Sequence, residues 1–319
     1  MNPAVEVHLG DALARYHFGA EHPFGEYRYS AFANAFHRSG LADKVHLEAP
    51  AVPATDAALG LFHTEAYIAR VRQQSLRGEG YLDGGDTPAF TGVYEAAATV
   101  VGTALNAAHR LIHGPAKRAF VPVGGLHHAR RDSASGFCVF NDCAIVIEAL
   151  RRWYGVHTVA YVDIDAHHGD GVFYAFESDP ELIFADLHED GRYLYPGSGA
   201  FEETGAGAAK GTKLNIPMPP YSDDSAFLEI WPDVIRFLER HKPEFVILQC
   251  GVDSLRDDPL THLQYSPHPH AHATATLCQL ADRHAGGRLL ALGGGGYNPD
   301  NIAAGWTAVV RSLVESTPA

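Results

Sequence analysis

The sequence predicts an α/β fold in a single domain, with a central parallel β-sheet covered by helices on both faces. Short apolar runs alternate with longer segments of helical character, which is typical of parallel sheets. No internal repeat, low-complexity linker or change in composition divides the chain, so we interpret residues 1–319 as one domain. Hydrophobic residues make up 46% of the sequence and charged residues 19%, which is ordinary for a globular protein.

Seven runs are predicted to be strands because each is short, apolar and bounded by polar or glycine-rich segments. In chain order they are residues 45–49, 119–123, 158–165, 182–187, 213–217, 245–251 and 288–292. The longer segments between them predict helices over residues 29–38, 93–112, 142–153, 225–240 and 273–284. Because strands and helices alternate, the carboxyl ends of the strands are expected at one edge of the sheet, where open α/β sheets bind ligands.

The third of these strands ends in an unusual polar segment that contains Asp163, Asp165 and His167. Side chains two residues apart on a strand share a face, so these three groups can converge where the strand ends. Two carboxylates and an imidazole at one point form a ready site for a divalent metal ion. The sequence therefore predicts a metal centre at this edge of the sheet.

Three further polar clusters follow predicted strands and are expected at the same edge. His127 and His128 follow strand 119–123, Asp253 follows strand 245–251, and Tyr297 follows a run of four glycines after strand 288–292. Asp253 can supply a third metal ligand, which leaves positions open for water and substrate. The histidine pair can act as general acid and base, and the tyrosine can donate a hydrogen bond to a developing oxyanion.

Two carboxylates close to this cluster, Asp163 and Asp170, can orient the histidines as in His–Asp dyads. Zinc suits such a site, and iron(II) is a chemically reasonable alternative where the ligands include carboxylates. Together the four clusters predict metal-assisted hydrolysis.

Composition and charge narrow the range of partners. The formal net charge of −14 argues against nucleic-acid binding. Neither a membrane span nor a secretory signal is found, so a cytoplasmic protein is expected.

The four cysteines lack the spacing of zinc fingers and are predicted to be buried free thiols. Three histidines at 268, 270 and 272 are predicted to lie in a surface loop or at a helix start.

These motifs resemble the arginase–deacetylase superfamily, and within it the zinc-dependent histone deacetylases, most closely those of the bacterial acetoin-utilisation type. The resemblance covers the chain from about His22 to Trp306. The matching stretches are His22-Pro23 with Arg28, Gly124 to His128, Ser135 to Cys138 with Asn141-Asp142, Asp163 to Gly171, Leu187 to Glu189 with Tyr195 to Gly199, Gly251 to Asp253 with Asp258 to Leu260, and Gly293 to Asn298.

The resemblance implies the family's fold, with about eight parallel strands, and roles for several of the matching residues. Asp165, His167 and Asp253 would bind zinc. His128, supported by Asp170, would be the general base and then the general acid. His127, supported by Asp163, would tune the charge beside the metal, and Tyr297 would polarise the amide carbonyl.

The resemblance also implies a narrow tunnel for an acyl-lysine side chain. Gly136, Phe137 and Tyr195 would line this tunnel, and Asp86 would grip the substrate backbone at its rim. One wall is Tyr195 where the family usually has phenylalanine, and its hydroxyl either bonds substrate or faces solvent. Near the matching Arg28, Glu26 stands where the family usually has proline, which weakens any role of this arginine in an acetate-release channel.

A potassium ion near the zinc is a further implication of the resemblance. Asp163 and the backbone at Asp165, His167 and Leu187 would hold the ion. Asp186 stands where the family usually has serine, and its carboxylate either binds the cation more strongly or points elsewhere.

The leading functional hypothesis is removal of acetyl or a related acyl group from lysine side chains of proteins. An acetylpolyamine deacetylase is the main alternative, since such relatives carry a glutamate near the tunnel mouth, where this chain has Leu260. Arginase-type ureohydrolysis is disfavoured because Gly251 to Leu255 lacks a second aspartate, and a non-catalytic acyl-lysine binding protein because Tyr297 and the dyads are all present. By resemblance the protein substrates would be metabolic enzymes rather than histones. The oligomeric state stays open.

Overall fold

The computed structural model describes residues 4–317, which form one eight-stranded parallel sheet with helices on both faces. The strands are β1 Val5–His8, β2 His46–Glu48, β3 Arg118–Val121, β4 Val159–Asp163, β5 Leu182–Glu189, β6 Lys213–Met218, β7 Phe245–Gln249 and β8 Leu289–Leu292. The α-helices are α1 Asp11–Ala14, α2 Tyr27–Arg38, α3 Asp56–Leu59, α4 Glu65–Arg77, α5 Val93–His113, α6 Asp142–Tyr154, α7 Asp170–Ala175, α8 Asp224–His241, α9 Pro267–His284 and α10 Pro299–Glu315.

The order of the strands across the sheet is β2-β1-β3-β8-β7-β4-β5-β6. This order makes neighbours of β3, β8, β7 and β4, whose following loops carry the four polar clusters. The register aligns the ends of these strands, since Val121 pairs with Leu292, Leu292 with Gln249, and Gln249 with Asp163. The clusters therefore emerge side by side at one edge of the sheet.

Two apolar cores lie on opposite faces of the sheet, because alternate side chains of each strand point to opposite sides. In β4, Val159 and Tyr161 join the core under α5 and α6, whereas Ala160 and Val162 join the core under α8, α9 and α10. Covering both faces with helices buries every residue of β4, which explains why this strand reads as a continuous apolar run. Among the described helices, none is both long and apolar enough to cross a bilayer.

The predicted fold class is confirmed, and all seven predicted strands coincide with strands of the structure to within a few residues. The five predicted helices are also present, although α9 begins earlier than predicted, at Pro267 after the N-cap Ser266. The extent of the domain over residues 1–319 stays a prediction. All four cysteines are free and buried, as predicted.

Strand β1 was not predicted, because its sequence Val-Glu-Val-His alternates apolar and ionisable residues. Glu6 and His8 are nevertheless buried, and Glu6 accepts two hydrogen bonds of 2.7 Å from Arg110 of α5. The short helices α1, α3 and α7 and the longer α4 and α10 were not predicted either. In α10, Gly305 lowers helix propensity, but a Cβ there would lie 2.5 Å from Val252, so close packing requires the glycine.

The histidine-rich segment begins α9, which is one of its two predicted placements, but one of its histidines is buried. His270 lies inside the first turns of α9 and is 1% exposed. Its Nε2 atom lies 2.7 Å from the carbonyl oxygen of Gly251, so this histidine braces the loop that follows β7.

Candidate active site

The predicted metal ligands converge at the carboxyl ends of β4 and β7. Asp165 and His167 lie in the loop after β4, and Asp253 lies in the loop after β7. Nδ1 of His167 is 3.1 Å from Oδ1 of Asp165 and 3.0 Å from Oδ2 of Asp253. One ligand atom from each residue lies within 4.8 Å of the other two, and all three residues are buried.

The remaining carboxylate oxygens are fixed by donors from the surrounding loops. Oδ2 of Asp165 accepts hydrogen bonds from the backbone N–H of Gly295 at 2.8 Å and from Nε2 of Gln249 at 2.9 Å. Oδ1 of Asp253 accepts one from the N–H of Ala166 at 2.8 Å. These contacts orient the carboxylates before a metal binds, and the part of Gln249 in this was not predicted from the sequence.

The electrostatics of the three residues suit a cation. Burial and the neighbouring Asp165 raise the pKa of Asp253 to about 7. Burial lowers the pKa of His167, but the two carboxylates outweigh it and raise that pKa well above 6.5. A buried pair of carboxylates around one imidazole nitrogen is a donor set that fits Zn²⁺ or a similar divalent ion, so the residues present fit the implied metal.

Both predicted His–Asp pairs are present beside the three ligands. Nδ1 of His127 lies 2.8 Å from Oδ2 of Asp163, and Nδ1 of His128 lies 2.7 Å from Oδ1 of Asp170. The Nε2 atoms of the two histidines are 3.1 Å apart and face each other. Burial and the adjacent His127 lower the pKa of His128 to about 4, so its imidazole is neutral at pH 7 and can accept a proton.

The loop that carries the two histidines is held by the first residues of α6. Asn141 caps this helix through its side-chain oxygen, and its Nδ2 donates to the carbonyl oxygens of His127 at 3.2 Å and Ala129 at 2.9 Å. Asp142 accepts hydrogen bonds from the N–H groups of Gly125 at 2.9 Å and Leu126 at 2.7 Å. Asn141 and Asp142, which belong to one of the matching stretches, therefore anchor the loop that carries the two histidines.

Tyr297 lines an inner cavity of about 10 Å³ together with Asp165, His167 and both histidines. Its backbone N–H donates to Asp258 at 2.8 Å, and its carbonyl accepts from Tyr27 at 2.9 Å. Burial and Asp253 raise the pKa of Tyr297 well above 10, so its hydroxyl keeps the proton that an oxyanion donor needs. Arg28 supports the same glycine loop, donating to the carbonyls of Gly296 at 2.8 Å and Gly294 at 2.6 Å.

The predicted tunnel walls are Gly136, Phe137 and Tyr195, and Gly136 also lines this inner cavity. Gly136 and Phe137 both have left-handed backbones, with φ of 51° and 66°. A Cβ on Gly136 would lie 2.5 Å from the ring of His128, so a glycine is required for this approach. The Tyr195 ring lies 5.2 Å from that of His128, and its hydroxyl is hydrogen-bonded to Ser135. Contact of this hydroxyl with substrate stays a prediction.

A wider cavity of about 680 Å³, here called the mouth cavity, lies beside these walls. Asp86 and Tyr195 line it together with Arg70 and Arg130. Binding of a substrate backbone by Asp86 stays a prediction. Burial and the adjacent Asp83 raise the pKa of Asp86 to about 6. Leu260 is not among the residues that line the inner cavity or the mouth cavity. Its role in substrate binding stays a prediction.

At the predicted potassium site, Asp186 is fully buried beside Asp163, and its carboxylate is already engaged. Oδ1 lies 2.7 Å from Nδ1 of His188, and Oδ2 accepts from the N–H of Gly169 at 2.9 Å. Burial and Asp186 raise the pKa of Asp163 well above its usual range, so a nearby cation would relieve this concentration of negative charge. The residues suit a cation, but ligation by Asp186, Leu187 and the backbone of the metal-binding loop stays a prediction.

Comparison with known proteins agrees with the resemblance seen in the motifs. Residues 22–313 match the family model described as the histone deacetylase domain. The acetoin utilization protein AcuC of Bacillus subtilis (strain 168) is 37% identical over 294 residues, which cover 89% of this chain and 75% of the relative. AcuC of Staphylococcus xylosus is 34% identical over 315 residues, covering 96% of this chain and 81% of the relative.

A solved structure agrees with these sequence relatives. The crystal structure of the HDA15 HD domain superposes with a TM-score of 0.89 at 27% identity, covering 100% of this chain and 91% of that one. The chain therefore belongs to the histone deacetylase family, within which it is similar to the AcuC proteins.

Proposed function

We propose that the protein is a metal-dependent deacylase that removes acetyl or a related acyl group from lysine side chains of proteins. One observation carries this proposal: the two candidate ligands Asp165 and His167, both histidines of the His–Asp pairs and Tyr297 line a single small cavity. The third candidate ligand, Asp253, lies 3.0 Å from His167. Amide hydrolysis needs an electrophile for the carbonyl, a base for water, an acid for the leaving amine and a donor for the oxyanion. This cavity offers a candidate for each.

Asp165, His167 and Asp253 would hold the ion, either zinc or iron(II). When bound, the ion would supply Lewis acidity and lower the pKa of a coordinated water. His128 would take the proton of the attacking water at Nε2, while its Nδ1–H stays bonded to Asp170. The same nitrogen would then return a proton to the departing lysine amine. His127 would tune the local charge, and the Tyr297 hydroxyl would donate to the oxyanion as it develops.

The mouth cavity favours a peptide over a polyamine as substrate. The guanidinium groups of Arg70 and Arg130 line it, and a polyamine would bring a second ammonium toward them. Of the two carboxylates that line it, that of Asp83 already accepts from the N–H groups of Gly85, Asp86 and Thr87, and that of Asp86 would be taken up by the substrate backbone. The proposal extends to cytoplasmic metabolic enzymes as substrates and to a potassium ion near Asp163.

The proposal is tested by measuring hydrolysis of an acetyl-lysine peptide and of an acetylated polyamine by zinc-loaded protein. We expect faster turnover of the peptide. Tyr297→Phe should keep the metal and lose about 100-fold or more of kcat, the effect of one oxyanion donor. Tyr221→Phe is the matched control, since this tyrosine is 70% exposed, and it should keep full activity.

The other outcomes separate the alternatives. Faster turnover of the polyamine would replace the protein substrate by an acetylpolyamine. Tight binding of the peptide without hydrolysis would indicate a non-catalytic acyl-lysine binding protein. Full activity of Tyr297→Phe would show that the oxyanion is stabilised elsewhere.

A further inference from the structure

One exposed arginine contacts the buried carboxylate of a His–Asp pair. Nη2 of Arg130 donates to Oδ2 of Asp170 at 3.2 Å, while the other oxygen of Asp170 lies 2.7 Å from Nδ1 of His128. The Asp170 side chain is 1% exposed and that of Arg130 is 59% exposed. Arg130 also lines the mouth cavity, so a single side chain joins the surface where substrate would arrive to the buried dyad.

The second dyad has a different outer partner. Oδ2 of Asp163, which faces His127, also accepts from the hydroxyl of Tyr161 at 2.7 Å, and Oδ1 accepts from the N–H of Asp165 at 3.1 Å. Within the described part of the chain, neither a lysine nor an arginine forms an ion pair with Asp163. The two dyads are therefore alike in their His–Asp bond and differ in that only Asp170 has a guanidinium on its free oxygen.

This difference has an electrostatic consequence. Burial alone would raise the pKa of Asp170, but the hydrogen bonds from His128 and Arg130 lower it below its usual value. The carboxylate of Asp170 thus remains ionised and has both oxygens engaged. A carboxylate torsion is broad and roughly twofold, so a second fixed contact restricts its rotation and keeps Oδ1 aimed at the histidine.

We propose that Arg130 is a positioning residue for the His128–Asp170 pair, holding the carboxylate so that His128 is oriented and supported as general base and acid. This inference rests on the proposed function, because it assigns Arg130 a role in that same reaction. Arg130 does not touch the reacting atoms. It acts through Asp170, from the rim of the tunnel.

The backbone around the dyad does not depend on this side chain. A Cβ on Gly171 would lie 2.5 Å from the carbonyl oxygen of His127 and 2.6 Å from that of Ala129, so the start of α7 packs directly against the histidine loop. The backbone N–H of Arg130 bonds to the carbonyl of Ser133 at 2.9 Å whatever its side chain is. Substitution of this exposed side chain therefore leaves the fold in place.

The kinetic test compares Arg130→Gln and Arg130→Lys with wild type on the acetyl-lysine peptide, using zinc-loaded protein. Arg130→Gln should lower kcat about fivefold with little change in KM, as expected for a partly exposed charged contact. Arg130→Lys keeps the cation and should recover much of that loss. Arg131→Gln is the matched control, because the neighbouring Arg131 is 45% exposed and donates to the carbonyl of Phe62 at 3.2 Å.

A second measurement does not depend on turnover. In proton NMR spectra of the zinc-loaded protein, the Nδ1 proton of His128 should shift and exchange faster in Arg130→Gln. The corresponding proton of His127, whose Asp163 partner lacks an arginine, should stay unchanged and serves as an internal control.

The outcomes separate this inference from the proposed function. A lower kcat together with a changed His128 resonance and lysine rescue supports the inference. An unchanged resonance overturns it whatever the kinetics show, and a change confined to KM makes Arg130 a substrate contact instead. If wild type proves inactive on every acyl substrate, the proposed function fails, while the resonance still decides whether Arg130 positions Asp170.

Discussion

Replacing Gly295 by alanine should disrupt the metal site through a single methyl group. A Cβ at this position would lie 2.1 Å from Oδ2 of Asp253 and 2.9 Å from Oδ2 of Asp165. Gly295 is not among the glycines with positive φ, so alanine causes steric overlap there and not backbone strain. The oxygen it would displace is the one that faces Nδ1 of His167 at 3.0 Å.

The size of the effect follows from these distances. To restore an ordinary van der Waals separation, the Asp253 oxygen has to move by ~1 Å, whereas metal–ligand distances tolerate only about 0.2 Å. The methyl group also crowds Asp165, whose Oδ2 accepts from the N–H of Gly295 itself. We expect metal affinity to fall by about 100-fold or more, and the metal-free protein to lose about 1–3 kcal/mol of unfolding free energy to overpacking.

Metal affinity is measured by competition with a chelator of known affinity, and stability by denaturant unfolding of the metal-free protein. Gly84→Ala is the matched control, since a Cβ there meets nothing within 4 Å and should change neither quantity. If Gly295→Ala binds zinc as tightly as wild type although its metal-free form is destabilised as expected, Asp253 and Asp165 are not the ligands and the assignment of the metal centre fails.

Three further predictions concern the parts of the fold that support the site. Tyr16→Phe should lower the unfolding free energy by about 1–3 kcal/mol in denaturant titration, because the hydroxyl donates to the carbonyl of Phe137 and accepts from the N–H of Val139. The control is Tyr81→Phe at an exposed tyrosine, and an equally small effect of both substitutions would contradict this prediction. Burial lowers the pKa of His270 to about 4. The unfolded chain, with a pKa near 6.5, therefore takes up the proton first, and stability is lost as the pH falls between these values. His270→Gln should reduce that loss by about 1.4 kcal/mol per pH unit, and equal pH slopes for variant and wild type would refute the reasoning. Because burial raises the pKa of all four cysteine thiols, they should react with a thiol reagent only after denaturation, and rapid labelling of the native protein would show that they are accessible.

Much of the candidate site could be predicted before the fold was known, because its residues follow strands that are buried on both faces. Such strands are apolar throughout, so the first polar residue marks the edge of the sheet. Asp165, His167 and Asp253 were predicted as one cluster on this basis, and the register of β4 with β7 brings them together. Strand β1 could not be predicted in this way, since Glu6 is buried in an ion pair with Arg110, which lies 104 residues away in the chain.

The sequence by itself determined the elements whose signal is local: apolar strands, helix periodicity, and the polar groups that end each strand. Only the tertiary structure decided which groups share a partner across long separations. Gln249 holds Asp165, Ser135 bonds to the Tyr195 hydroxyl, and Arg130 reaches Asp170. These pairs cannot be predicted from local sequence periodicity, because a long side chain on a loop can point in many directions. Packing of the whole chain selects one of these directions.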